Sequence, residues 1–311
     1  MKCVETTSFS VCVNGSLFGF FKGKCGVRQG DPLSPYLFII GMEYFSRLLK
    51  INTQHPGFHF HPKCQALGIS HLGFADDILL LCRWDMVSVS IVRHHLSVFG
   101  ETSGLEIKAT KSFIFFAGVS GEMKQAILRF SKFTERSFPF KYLGVPLNPH
   151  RFLASQFSSL IHKLELAIQS WMGKHLSYAG RLELIKSILQ GMVQFWFSIF
   201  PIPVVVISKI TCLCRNFLLT GDVLRSKSTL VAWKQVCLPK DEGGMTVLDI
   251  KARNDSFFAK HLWNIHLKSD SLWIRWVEHY YIPHTSIWSS EAKKTDPPLW
   301  KSIFSLRNKM I

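Results

Sequence analysis

Acidic residues are in short supply. The 311-residue chain holds 21 Asp plus Glu against 37 Lys plus Arg, a formal net charge of +16. The imbalance is spread out: basic residues exceed acidic ones by 16 to 10 over residues 1–150, 11 to 5 over 151–248 and 10 to 6 over 249–311. The charge therefore belongs to the folded body rather than to one tail, and it favours a polyanionic partner. Cysteine is sparse as well, with eight in the chain. That is too few for a disulfide scaffold and indicates a reducing compartment. No long apolar run is present. The longest, Val193 to Ile207, is interrupted by Ser198, Pro201 and Pro203, short of the roughly 20 apolar residues that span a bilayer. The opening Met1-Lys2-Cys3-Val4-Glu5-Thr6 lacks the apolar core of a signal peptide. The expectation is an intracellular protein, nuclear or cytoplasmic, with no membrane partner.

Hydrophobic residues are plentiful, at 47%, so a large core is expected, and the length suits about two domains. Phe9, Val11 and Val13 alternate with polar residues before Asn14-Gly15, a type I′ turn signal, and Leu17 to Phe21 runs back. A basic, glycine-punctuated loop from Lys22 to Gly30 follows. Ser34-Pro35 reads as an N-cap and first-turn proline for a helix through Lys50. Ile69 to Ala75 and Ile78 to Cys82 read as apolar strands separated only by Asp76-Asp77. Asp85 caps a helix that ends near Gly104. Ser112 to Ala117 is strand-like, Glu122 to Phe130 a short helix, and Phe140 to Leu147 a hairpin. Irregular interleaving of this kind predicts an α+β layer. Beyond Pro149, apolar residues recur at i, i+3 and i+4 through Trp171 and again from Leu182 to Trp196, which predicts two amphipathic helices before a proline-marked break at 199–203.

One constellation carries chemistry of its own. Asp76-Asp77 joins two very apolar strands, and bare charge there is costly unless it is paired or bound to a cation. Mg²⁺ takes one or two carboxylates plus substrate phosphates, and two such ions can clamp both oxygens of a phosphoryl transfer. On propensity alone, Asp-Asp is an ordinary exposed turn. His59, His61, Cys64 and His71 lie close in sequence but match no standard zinc spacing, and a polar loop is expected there.

Context singles out the carboxylates. Phe74-Ala75-Asp76-Asp77 resembles the aromatic-x-Asp-Asp motif of reverse transcriptases. Arg28-Gln29-Gly30-Asp31-Pro32-Leu33-Ser34-Pro35 is similar to the segment before the palm helix of that family. Gly104-Leu105-Glu106-Ile107-Lys108 with Lys111-Ser112 is similar to the next palm motif, and Tyr142-Leu143-Gly144-Val145-Pro146-Leu147 to the hairpin that grips the primer end. Four such segments in order are far more specific than any one. The resemblance is strongest to LINE-type, non-LTR retrotransposons, the plant ones especially. It extends through Leu176–Leu182, Leu230–Trp233 and Pro239–Met245.

The resemblance implies an RNA-directed DNA polymerase (nucleotidyltransferase) that uses Mg²⁺, an RNA template, a DNA primer and dNTPs. Asp76 and Asp77 would be its metal ligands, Asp76 the direct one. Lys111 would act at the leaving pyrophosphate, Arg28, Gln29 and Gly30 on template and nucleotide, and Tyr142, Leu143 and Gly144 on the primer. Phe74 is read as packing and Asp31 as a turn residue. The implied layout is a partial palm over 1–148, with the Asp76-Asp77 hairpin beside the strands at 8–21 and 112–117 and the Pro35 helix beneath. A helical thumb over 149–203 and a mostly helical connecting region over 204–311 follow. The family also needs a metal-binding aspartate on an upstream strand, and before Asp76 only Glu5, Asp31 and Glu43 are acidic. The sequence therefore reads as an N-terminally truncated polymerase, inactive alone. The alternative is a non-catalytic nucleic-acid-binding remnant.

Overall fold

The computed structural model describes residues 6–23, 26–105, 107–148, 153–222 and 231–310. Two compact units divide the chain, Met1–Ser137 and Phe138–Ile311. The architecture is α+β, as the mixture of local patterns predicts.

In the first unit, β1 (Ser8–Val13) pairs antiparallel with β2 (Ser16–Lys22). The tip is Asn14-Gly15 at φ 50° and 81°, both left-handed as a type I′ turn requires. Helix α1 spans Ser34–Asn52. Ser34 is its first residue rather than its cap: its hydroxyl donates back to the Arg28 carbonyl at 2.6 Å. A hairpin of β3 (His71–Phe74) and β4 (Asp77–Leu80) follows, then α2 (Met86–Ser103). Asp85 caps α2 by accepting from the Ser88 amide at 2.8 Å, and Gly104 closes it at φ 71°. Both signals were local, and both hold. The unit ends with β5 (Phe113–Ile114), α3 (Gly121–Ser131) and β6 (Thr134–Glu135), where β5 and β6 pair in parallel.

The core of this unit joins Phe45 and Leu49 of α1 to Leu96 and Phe99 of α2, with Ile78 and Leu80 of β4 packed against them. Thus α1 does lie beneath the β3–β4 hairpin. His71, at the hairpin's base, fixes that docking. Its Nε2 lies 3.0 Å from the Ser46 hydroxyl on α1 and its Nδ1 3.1 Å from that of Ser70. The shared sheet expected from sequence does not form among the described residues. Each ladder there is two-stranded, and β3–β4 bonds to neither β1–β2 nor β5. Tight local turns close the hairpins, whereas β5 is only two residues long and spends its pairing on β6.

The second unit opens with β7 (Phe140–Tyr142) and β8 (Val145–Leu147), closed by Leu143-Gly144 at φ 50° and 83°. Helices follow: α4 (Ser158–Trp171), α5 (Tyr178–Leu184), α6 (Gln190–Ile199), α7 (Val204–Thr220), α8 (Trp233–Val236), α9 (Ile250–His266), α10 (Leu272–Tyr281) and α11 (Pro298–Met310). A π-helical turn, Ile185–Leu189, joins α5 to α6. One core cluster runs from Val145 through α4–α7 to Ile250, so the packing continues past residue 203. A second gathers Phe258, Leu262 and Ile265 of α9 with α10 and α11. Buried Asn254 stitches the proline break to α9. Its amide donates to the carbonyls of Phe197 (2.8 Å) and Phe200 (2.9 Å), and its oxygen accepts from the Ile202 amide at 3.2 Å.

Two outcomes are expected. Ala75, between β3 and β4, is exposed and left-handed at φ 50°, a conformation that costs a non-glycine residue about 1–2 kcal/mol. Ala75→Gly should stabilise the protein by about 0.5–1 kcal/mol in chemical denaturation, the remainder being offset by glycine's greater unfolded freedom. A loss of stability would refute the strained turn. Burial, aided by Lys50, holds the His71 imidazole below its ordinary value of 6.5. The unfolded chain therefore takes up this proton first as pH falls, so the contribution is full above about pH 6.5 and is lost below it. His71→Gln should flatten that part of the stability–pH curve.

Candidate functional site

Sheet periodicity explains how the carboxylates are displayed. His71 pairs with Leu80 and Gly73 with Ile78, so these four share the face turned to α1. Phe74 pairs with Asp77 and Leu72 with Leu79 on the opposite face. The two-residue connection is Ala75-Asp76, not Asp76-Asp77: Asp77 is the first residue of β4. Asp76 therefore sits at the tip and Asp77 on the outward face beside Phe74. Both carboxylates are exposed. Water solvates them, so no cation is needed to offset burial, contrary to the sequence expectation. Phe74 does not pack either; it is 61% exposed, because register puts it on the open face.

The turn ahead of α1 is built separately. Gly30 takes φ 85°, left-handed, which bends the chain back on itself. The Arg28 carbonyl then accepts from the Asp31 amide at 3.3 Å and the Ser34 hydroxyl at 2.6 Å. Asp31 accepts from the Leu33 amide at 2.8 Å, so its carboxylate is engaged inside the turn, as its reading as a turn residue expects. Arg28 and Gln29 are exposed. Lys24 and Cys25 of the preceding basic loop lie outside the described residues, as does Glu5.

Lys111 ends a 3-10 turn, Ala109–Lys111, two residues before β5, and is exposed. Glu106 of that motif lies outside the described residues. Tyr142, Leu143 and Gly144 form the tip of β7–β8, with the first two half-buried and Gly144 exposed. The structure thus brings Asp76 and Asp77 together on one tip. It roots that tip and the Arg28–Ser34 turn on the same helix. Tyr142–Gly144 falls in the second unit.

The chemistry of the tip suits a hard cation, since two carboxylates match the oxygen ligands of Mg²⁺ when substrate phosphates complete the shell. A self-sufficient ion cage is another matter. Among the described residues no three His, Cys, Asp or Glu side chains gather to hold a metal. Glu43, the remaining upstream acid, lies one helical turn from Arg47 and bonds it at 2.8 Å, which holds the Glu43 carboxyl below its usual range. The histidine-rich loop is polar, as expected. His61 Nδ1 lies 3.8 Å from the buried Cys64 thiol, His59 pairs with Asp85 at 3.3 Å, and His71 serves the hairpin base. That role for His71 escaped the sequence reading, because its partner Ser46 is 25 residues away.

Residues 2–147 match the family model described as reverse transcriptase (RNA-dependent DNA polymerase). The chain is 30% identical over 137 residues to a putative ribonuclease H protein of Arabidopsis thaliana, covering 44% of this chain and 22% of that one. It is 36% identical over 81 residues to the retrovirus-related Pol polyprotein of the type-1 retrotransposable element R2 of Popillia japonica, covering 26% and 12%. To a 149 kDa protein of the transposon TX1 of Xenopus laevis it is 28% identical over 255 residues, covering 79% and 18%. The chain thus spans about a fifth or less of the length of these relatives. Its residues 2–147 are a reverse transcriptase domain of the non-LTR retrotransposon type.

Proposed function

We propose that this domain contributes to RNA-templated DNA synthesis, with the Asp76–Asp77 tip as its metal-binding element. The observation that carries the reading is the display of two adjacent carboxylates, Asp76 in a strained two-residue turn and Asp77 on the strand residue that follows it, within the matched segment. Backbone held in a costly conformation is often kept where it positions working groups. Asp76 would be the direct ligand and Asp77 the more peripheral one. When bound, Mg²⁺ would neutralise charge on the phosphates of the incoming dNTP.

The rest of the work falls to the protein's own groups. Arg28, exposed on the Gly30 turn, can grip a phosphate bidentately, and Gln29 can reach a base or sugar edge. Lys111 would place a cation, or a proton, at the departing pyrophosphate. Tyr142, Leu143 and Gly144 would steady the primer terminus. In this reading residues 1–148 act as the palm, 149–203 as a thumb-like helical region and 204–311 as a connecting region. RNA template and DNA primer are the partners, and positioning and charge neutralisation supply most of the catalysis.

Counting ligands limits what the chain can do by itself. With Asp31 engaged in its turn and Glu43 paired to Arg47, no upstream acid among the described residues is left to join Asp76 and Asp77 as a third carboxylate. Given RNA template, annealed DNA primer, dNTPs and Mg²⁺, the 311-residue chain should show no extension above background. Joined behind the upstream polymerase segment of a relative, it should extend the primer, and Asp76→Asn should lower the rate at least about a hundredfold. Robust extension by the unextended chain would overturn the ligand count, and an active fusion indifferent to Asp76→Asn would overturn the site.

Binding gives a second test. Affinity for a duplex should fall with salt at a log–log slope of about −0.9 per phosphate contacted, and Arg28→Ala should reduce that slope by about one. A slope unchanged by Arg28→Ala would remove this residue from the interface.

A further inference from the structure

The region beyond residue 249 has no role in the reading above, yet it carries an exposed aromatic cluster. Trp263 on α9 is 57% exposed and Trp288, in the loop between α10 and α11, 36%. Tryptophan is on average among the more buried residue types, so two solvent-facing indoles on one site call for a reason. They flank one imidazole. His266 lies 5.5 Å from the Trp263 ring and 5.7 Å from that of Trp288, centroid to centroid, and its Nδ1 accepts from the Trp288 indole N–H at 3.0 Å.

The cluster is held in place from beneath. Phe258, Leu262 and Ile265 anchor α9 in the core, which turns Trp263 outward. Arg307, only 7% exposed, donates to the carbonyls of Ile287 (2.7 Å) and Ser290 (2.5 Å), on either side of Trp288. The rings are therefore preorganised, and few rotamers would be lost on binding.

Charge selects the occupant. Lys260 lies one helical turn before Trp263 and so on the same side of α9. It is exposed and forms none of the ion pairs among the described residues. Two acids of this stretch are engaged, Glu278 with Lys268 at 3.9 Å and Asp270 with Arg275, while Glu291, three residues beyond Trp288, is exposed. Aromatic faces beside an unpaired cation, on a chain of net charge +16, are the elements that bind single-stranded nucleic acid through base stacking and phosphate contact.

We propose that Trp263, His266 and Trp288 form a stacking platform for the bases of a single-stranded nucleic acid, with Lys260 on the adjoining phosphate. The platform rests on the reading of this basic chain as a nucleic-acid binder, and it uses none of the residues of the Arg28 turn or the Asp76 tip.

The test uses the full chain with a fluorescein-labelled 15-mer of oligo-dT, an abasic deoxyribose-phosphate oligomer of equal length, and anisotropy as readout. Trp263→Ala should weaken oligo-dT binding about 5- to 100-fold and Trp263→Phe much less, while the abasic oligomer should bind wild type and Trp263→Ala alike. Circular dichroism melts check that the exposed substitution leaves the fold intact. Unchanged oligo-dT affinity in Trp263→Ala would overturn the platform, as would equal losses for both oligomers. A wild-type dimer that Trp263→Ala dissolves would overturn it too, by assigning the cluster to a second copy. Should the chain bind no nucleic acid at all, the broader reading fails with it. Salt-sensitive, Arg28-dependent binding that ignores Trp263 would sink the platform alone.

Discussion

The geometry of the catalytic candidate depends on one turn. With Ala75 and Asp76 as the only residues between β3 and β4, register is fixed: Ile78 and Leu80 face α1, and Asp77 faces away. A slip of one residue would exchange the faces, driving a carboxylate into a core of Phe45, Leu49, Leu96 and Phe99. Desolvating that charge costs several kcal/mol, more than the strain at Ala75. The strained turn is thus the cheaper of the two arrangements. Leu143, also left-handed before Gly144, closes the other motif-bearing hairpin in the same way.

What was legible in the sequence was local. Asn14-Gly15, Asp85 and Gly104 each act on neighbours within four residues, and the structure places all three as read. The amphipathic runs after Pro149 became α4 and the continuous α5–α6 rod for the same reason. Ala75 gave no such signal, because nothing about alanine announces a positive φ. The parallel pairing of β5 with β6 and the isolation of each ladder depend on which edges meet in space. Alternation along a strand cannot report that.

The candidate site divides in the same manner. Asp76-Asp77 and Arg28–Gly30 stood out because their residue types and spacing carry the resemblance. Their exposure did not follow from the apolar strands around them, since it is the turn that lifts the carboxylates clear. Phe74 departs from its sequence pattern on the same ground: an aromatic in an apolar run reads as core until register assigns its face. Gly243-Gly244 had no visible purpose in sequence. In the structure, a side chain at Gly244 would run into the Leu238 backbone, so that motif is at least a requirement of close packing.

Buried polar groups complete the picture where hydrophobic pattern says nothing. Asn254 uses both amide hydrogens and its oxygen to hold the 197–202 segment to α9, so the proline break is a fixed corner. Arg307 does the same for the loop around Trp288. Each would leave an unsatisfied donor or an unpaired charge inside the protein if its partners moved, a cost of about 1–3 kcal/mol or more. That cost makes the two segments rigid. It also links them, because α9 carries Asn254 near one end and Trp263 near the other. Ile250 of α9 belongs to the first helical core, and Phe258, Leu262 and Ile265 belong to the second. A helix gripped at both ends is suited to presenting side chains at fixed spacing, and its exposed face presents Lys260, Trp263 and His266.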